Sequence, residues 1–552
     1  MATTTSGTAG SGTTGRLRRD VGFWGLLFVS LGSIIGSGWL LGALTAATVA
    51  GPASLISWIL AAAMLTVLAL VHAELGAAYP VAGGTARFPF FAFGPLAGFA
   101  AGWMAWVQAV TIAPIEVEAT LSYTSHISWV ESNVTILHTD GTLTGVGVLI
   151  ASVFMALFTI INLVGVKLLA HTNSVAVIWK TMVPLLTVVV LMSLTFHAGN
   201  FHAGGGFAPY GAHGVFAALP AGVVFALQGF EQAIQMAGEA RDPQRDVSRA
   251  VIAAMAIGAV VYLLLEVAFI AAINPADVAH GWANPVGKGD FGPYATLATA
   301  AGAGWLATIL YIDAVISPAG TGLVYVATAS RLSYAMGHER AIPSHTARID
   351  RRGIPWISVL LAFVVGEIAF LPFPSWQSLV GLVTSATAIM YAFAPVALHA
   401  LRLRDGDRPR PYHLPAWRVL SPIAFVSANL IIYWSGYEAD WKLGLTMVFG
   451  LVVFAVTRLS TPMEERQALH WRASLWVWPW LGGLVLIGRL GRYGGGNTIA
   501  DWWDLVVVAV FSLVVYVVAV RSAMTSQAVS DAVTVEERTE FDPEATAAGA
   551  GA

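Results

Sequence analysis

Cysteine is absent from the 552 residues, which excludes disulfides, thiolate metal sites and a cysteine nucleophile. Charge is scarce as well: 11% of the residues are charged against 57% hydrophobic, whereas an average soluble domain carries about 25% charged residues. That balance excludes an ordinary soluble globule. The formal net charge of -3 and the lack of a basic stripe with interleaved aromatics leave no footprint for nucleic acid. Enzyme signatures are missing too. There is no His-Glu-x-x-His, no Gly-x-Ser-x-Gly and no phosphate-cradling loop, since Gly287-Lys288 lacks both the upstream glycine spacing and a following Ser or Thr. The histidines show no metal-ligand spacing, so neither a metal nor a cofactor is expected.

What the chain does contain is a series of apolar runs of about 20 residues, the length a helix needs to cross roughly 30 Å of hydrocarbon. Fourteen such runs start near Val21, Ala53, Gly94, Gly145, Ser174, Val215, Ala250, Gly304, Trp356, Ser378, Leu420, Leu443, Ala473 and Asp504. The expected fold is an all-α polytopic membrane protein embedded in a lipid bilayer. The first run is too long for a signal-peptide core and has no evident cleavage site, so it reads as a retained helix. Residues 1–20 form an N-terminal tail, and the Ala-, Thr- and Glu-rich stretch 522–552 reads as a disordered C-terminal tail.

Lysine and arginine concentrate in short loops on the cytoplasmic side. With a cytoplasmic N-terminus, the assignment leaves only Lys288, Lys442, Arg489 and Arg492 outside and Lys180 within the membrane. Missing one helix would exchange the two sides downstream, so the bias supports an even number of spans. Both termini are expected in the cytoplasm of a cell whose plasma membrane holds the protein.

Two spans are interrupted by small and polar residues: Gly32, Ser33, Gly36, Ser37 and Gly38 in the first, and Pro220, Gly222, Gln228, Gly229, Phe230 and Glu231 in the sixth. Glycine weakens a helix, and irregular backbone at membrane depth is tolerated where it lines a cavity. Gly32 and Gly36 also fit a small-xxx-small packing motif. The matching break five spans later favours two inverted five-helix repeats meeting at a midplane site. The core then runs over 21–402, and 403–521 adds four helices outside the repeats, as scaffold or dimer contact.

Ionisable residues inside spans are costly and mark function by default. They are Glu116 and Glu118 in the third span, Lys180 in the fifth, Glu231 in the sixth, Glu266 in the seventh, Asp313 in the eighth and Glu367 in the ninth. Carboxyls so outnumber the single amine that proton carriage follows as an expectation. Lys180 lies about nine residues, roughly 14 Å, into its span and needs a local acceptor. Asp313, Ser317 and Thr321 recur every four residues and form one polar stripe. Glu116 and Glu118 stand about 200° apart around their helix, so only one of them is expected to face a pathway. Glu266 and Glu367 read as structural.

Four ordered motifs now carry a resemblance: Gly-Ser-Ile-Ile-Gly-Ser-Gly-Trp at 32–39, Ala-Glu-Leu-Gly-Ala-Ala-Tyr-Pro-Val-Ala-Gly-Gly at 73–84, Gly-Glu-Ala-Arg-Asp-Pro-Gln-Arg at 238–245 and Ser-Arg-Leu-Ser-Tyr-Ala-Met at 330–336. Together they resemble the amino acid-polyamine-organocation permeases. The segments 312–322 and 274–282 and the fourteen-span length look most like the bacterial aspartate-proton symporter branch. The resemblance implies a transporter working by alternating access, with an amino acid and protons as its partners. It further implies that the substrate carboxylate meets backbone N–H groups near Gly36, Ser37 and Gly38, and that the substrate amine meets carbonyls near Ile34 and Phe225. Phe230 beside Gly229 would be a gating aromatic. Lys180 would stand where a sodium ion sits in other members, with Ser317 as neighbour and Asp313 and Glu116 in the proton path.

One departure bears on the substrate. As the aspartate branch is understood, the residue after the Gly-Phe of the sixth span is uncharged, whereas Glu231 stands here and Glu118 adds a second acid. Acids in the pocket would repel an acidic side chain unless protonated. Aspartate, a neutral or cationic amino acid and an amine all remain open at this stage, as do exchange without net proton coupling and a sensor that binds without transporting.

Overall fold

The computed structural model describes residues 19–164, 166–287, 292–371, 375–500 and 502–541. The expected N-terminal tail, apart from Arg19 and Asp20, lies outside them, as does Lys288. Among the described residues, eleven helices are long and apolar enough to cross a membrane, and three shorter apolar helices accompany them. Each of the fourteen expected starts falls on one of these helices or within two residues of its beginning, which makes the chain an all-helical, multi-pass membrane protein.

The first span is two helices, Phe23–Ile34 and Gly38–Ala50, and the sixth begins with Gly211–Leu227 and resumes at Gln232–Gln235. The second span is Ser54–Ala78, the third Pro95–Ser125, the fourth Gly145–Val164 and the fifth Val166–Leu194. Beyond the sixth come Pro243–Ala272, Gly304–His338, Trp356–Ala369 and Trp376–Arg404 as spans seven to ten. The first span packs on the sixth, the second on the seventh, the third on the eighth and the fourth on the ninth. Contacts between helices five apart are what two interlocked five-helix repeats produce. The third and tenth spans are buried along almost their whole length. Helices nearer the outside turn rows of apolar side chains outward, such as Leu149 and Val153 or Phe449 and Val452, as hydrocarbon requires.

Trp417–Ser435, Tyr437–Ser460, Trp471–Leu490 and Trp503–Ser522 are the last four spans. The segment after them departs from the expected disorder, because Ser526–Phe541 is helical. Val529 and Val533, one turn apart, are buried against the bundle, Glu536 pairs with Arg87, and Glu537 pairs with Arg408. Polar composition concealed this short apolar stripe, whose stability comes from tertiary burial rather than from propensity.

Ion pairs tie together the loops expected on one face. Arg87 also meets Glu339, Arg340 meets Glu465, and Arg402 meets Glu74, which links the second, eighth, tenth and twelfth spans' ends. The Glu74 carboxylate is fully buried. It receives Arg402 Nε at 2.7 Å and Nη2 at 2.5 Å, together with the Leu414 N–H at 2.7 Å. Arg410 Nε lies 3.5 Å from Glu74 Oε1, so removing Arg402 leaves the buried carboxylate with that longer pairing alone in low dielectric. Arg402→Ala is therefore expected to destabilise the fold by about 3 kcal/mol, measured as a lowered thermal midpoint of the purified protein in detergent; an unshifted midpoint would contradict this reading of the pair.

Candidate functional site

A helix that stops in the membrane leaves its last carbonyls and the next helix's first N–H groups without helical partners. At the first-span break both sets are met by side chains from other spans. The Gly32 carbonyl accepts from Lys180 Nζ at 2.6 Å and from Thr321 Oγ1 at 3.2 Å, and the Ile34 carbonyl accepts from the Tyr262 hydroxyl at 2.7 Å. On the other side of the break, the Ser37 N–H donates to Glu116 Oε2 at 2.8 Å. A carboxylate at the start of Gly38–Ala50 is favoured by the partial positive charge of a helix N-terminus. Gly36 permits the approach, since a Cβ there would lie 2.7 Å from Glu116 Oε1 and 3.0 Å from Thr321 Oγ1.

The sixth-span break is held against the first. Ser30 Oγ donates to the Phe230 carbonyl and accepts from the Ala233 N–H. Gly229 adopts φ +121°, and a Cβ on it would meet Ile34 N at 2.7 Å. Between the two breaks lies a small, nearly closed cavity with room for about one water molecule. Of the residues expected at a site, Ile34, Gly36, Gly38, Phe225 and Glu116 line it, joined by Ser33, Ile112, Gln228, Thr321 and Tyr325. Trp376 ties the tenth span to both breaks, with its indole N–H 3.1 Å from Ser37 Oγ and its ring edge-on to Phe225.

Other expected residues take different places. Glu231 does not line the cavity. Its Oε2 accepts the Gly229 N–H at 2.9 Å and the Tyr391 hydroxyl at 2.5 Å, and its Oε1 accepts Gln108 Nε2 and the Tyr325 hydroxyl, each at 3.3 Å. It therefore braces the sixth-span break. Phe230 is fully buried and stacks on Tyr391, with ring centroids 4.8 Å apart. Lys180 reaches the first and eighth spans, yet its hydroxyl partner is Thr321 at 2.6 Å rather than Ser317. The Ser317 hydroxyl turns one helical turn back to Asp313 Oδ1 at 2.7 Å. Asp313 also receives the indole N–H groups of Trp179 at 2.8 Å and Trp39 at 3.2 Å, so the stripe divides its work between Lys180 and two tryptophans.

Outside this constellation, Glu266 is bound by Ser54 and Trp58, and Glu367 by Ser152, in keeping with structural roles. Glu118 is buried and neither of its oxygens has a hydrogen-bond partner. Sequence reasoning did not place Gln228, Tyr325 or Tyr391 at the site. The only signal for Gln228 was its position next to Gly229, and the tyrosines carried none.

A model of the amino acid permease family matches residues 21–485. The glutamate/serine transporter AimA of Bacillus subtilis is 35% identical over 522 residues, covering 94% of this chain and 96% of that protein. The aspartate-proton symporter of the same organism is 32% identical over 510 residues, 91% of this chain and 96% of that protein. The branched-chain amino acid permease BcaP, also from Bacillus subtilis, is 25% identical over 449 residues, 79% and 92% of the two chains. These relatives are membrane transporters, not enzymes, and the family match spans both broken helices and the cavity between them. The chain belongs to the amino acid permease family.

Proposed function

We propose that the protein carries an amino acid across the plasma membrane together with protons, with both termini in the cytoplasm. The observation that supports this most directly is the Glu116 carboxylate on the Ser37 N–H. An anion of the protein's own occupies the position where a substrate α-carboxylate would sit. Protonation of Glu116 would weaken its hold on that N–H and free the helix N-terminus for the substrate. Proton uptake and substrate binding are thereby linked through one donor group. The substrate amine would use the Phe225 carbonyl and, by displacing the Gly36 N–H that it accepts at 3.2 Å, the Ile34 carbonyl. Lys180 supplies a fixed positive charge between the first and eighth spans, and Asp313 is close enough to respond to it.

The relatives are named for glutamate and serine transport and for aspartate-proton symport. We take the substrate from that group rather than from cationic amino acids, because Glu231 is engaged by four donors and adds no free acid to the cavity wall. The test is uptake of labelled aspartate, glutamate, serine, leucine and lysine into proteoliposomes with an imposed inward pH gradient. Accumulation of one of the first three that collapses with a protonophore is the expected result. Equal uptake with and without the gradient would replace symport by exchange, and binding without flux would replace transport by sensing.

A further inference from the structure

Gln228 lines the cavity and carries an unused hydrogen-bonding group. It stands at the start of the sixth-span break in extended conformation, with ψ 159°, and it is buried with 3% of its surface exposed. Its Oε1 is 2.5 Å from the Thr387 hydroxyl of the tenth span, while its Nε2 has no hydrogen-bond partner. The carboxamide is thus held at one end, and its other end is a buried, unpartnered donor on a residue that lines the cavity. A buried amide donor without a partner is costly, and a carboxamide nitrogen has two hydrogens to give.

The cavity's other polar groups are already committed. Glu116 is on the Ser37 N–H, Thr321 is with Lys180, and the Tyr325 hydroxyl lies between Ser33 and Glu231. The α-carboxylate is seated at the first-span break and the amine on carbonyls of both breaks, which an N–H donor cannot replace, so the Gln228 amide is left for the third part of an amino acid, its side chain. We infer that Gln228, oriented by Thr387, is the residue that reads the substrate side chain, and that it selects side chains carrying an oxygen acceptor close to Cα, as in serine and aspartate. This rests on the transport reading above and adds a named specificity determinant to it. A site built to hydrogen-bond a substrate group discriminates strongly against the analogue lacking that group, because the protein's own donor is then stranded.

The test pairs each oxygen-bearing substrate with a near-isostere in which methyl replaces oxygen: L-serine against L-2-aminobutyrate, and L-aspartate against L-leucine. Initial uptake rates of the four labelled compounds are measured in proteoliposomes of the full-length protein and of Gln228→Met, which keeps the length of the side chain. In the wild type at least one pair is expected to differ by about 10-fold or more in favour of oxygen, a range set by one buried hydrogen bond. In the variant that ratio should fall to roughly 3 or less, through loss of the oxygen-bearing substrate. A wild type that takes up both members of each pair equally, or a variant that keeps the wild-type ratio, overturns the inference while leaving transport intact. No uptake of any amino acid by the wild type removes the transport reading itself, and this inference with it. Should Gln228→Met not reach the membrane, Thr387→Val decides the matter, since it leaves the glutamine and frees its amide. The ratio must then narrow, and an unchanged ratio overturns the assignment.

Discussion

Exchange of Lys180 for glutamine is expected to lower proton-driven uptake by roughly 100-fold and to make the residue insensitive to an imposed pH gradient. The ammonium is buried and holds the Gly32 carbonyl and the Thr321 hydroxyl, both at 2.6 Å. It is therefore the cationic link between the first, fifth and eighth spans at the point where the first helix ends. Glutamine can replace a hydrogen bond there but not the charge. The buried carboxyls of Glu116 and Asp313, both of which interact with that ammonium, would then lose it, and breaking such an arrangement costs about 3–5 kcal/mol. Tenfold in rate corresponds to about 1.4 kcal/mol, so a loss of 100-fold asks for only part of that. Lys180→Arg keeps the charge on a bulkier head and should retain more uptake than glutamine. Gradient-driven accumulation at the wild-type rate in Lys180→Gln would remove the lysine from the coupling mechanism.

A single methyl group at Gly229 is expected to be equally damaging, by sterics alone. The residue has φ +121°, a conformation L side chains rarely adopt, and the added Cβ would sit 2.7 Å from Ile34 N and 2.9 Å from the Ser33 carbonyl carbon. These are backbone atoms of the first-span break, so no rotamer change relieves the clash. Backbone strain of about 1–3 kcal/mol adds to overpacking of about 1–3 kcal/mol, and the two broken helices must move apart. Gly229→Ala should lose transport and at least about 3 kcal/mol of stability. Gly222 is the control in the same span. Its nearest foreign atoms lie 3.5 Å from the added Cβ, an ordinary van der Waals contact. Gly222→Ala should therefore be far milder when thermal midpoint and uptake are compared side by side. Wild-type behaviour of Gly229→Ala would mean that the two breaks are not held in register by this contact.

The lining of the cavity explains which expectations could be formed in advance. Gly36 and Gly38 were legible because a run of small residues inside an apolar helix is a local anomaly. Lys180 was legible because one amine stands deep in a hydrocarbon span. Glu231 was legible as an ion but not in its role: whether a carboxyl faces a cavity or a tyrosine depends on helix rotation, and the Tyr391 that claims it lies 160 residues away. The same applies to Ser317 and Thr321, one turn apart on a helix. Either could have met Lys180 by spacing, and the packing of the fifth span against the eighth selected Thr321. The helix at Ser526–Phe541 was missed because two valines in a polar segment become a buried stripe only when a bundle is present to cover them.

The chain's own residues determined the number of spans, their approximate starts, the two breaks and most of the buried ions of the ten-helix core, because apolar run length, glycine content and the cost of charge in hydrocarbon are properties of short stretches; the buried Glu74, Asp440 and Asp504 were not among them. Only the tertiary structure decided that Glu116 takes the Ser37 N–H, that Glu231 braces rather than lines the cavity, and that the amide of Gln228 is left unpartnered at the cavity wall. Each of those contacts joins spans far apart in sequence. Helix rotation and depth, set by packing across the whole bundle, determine which polar atoms meet.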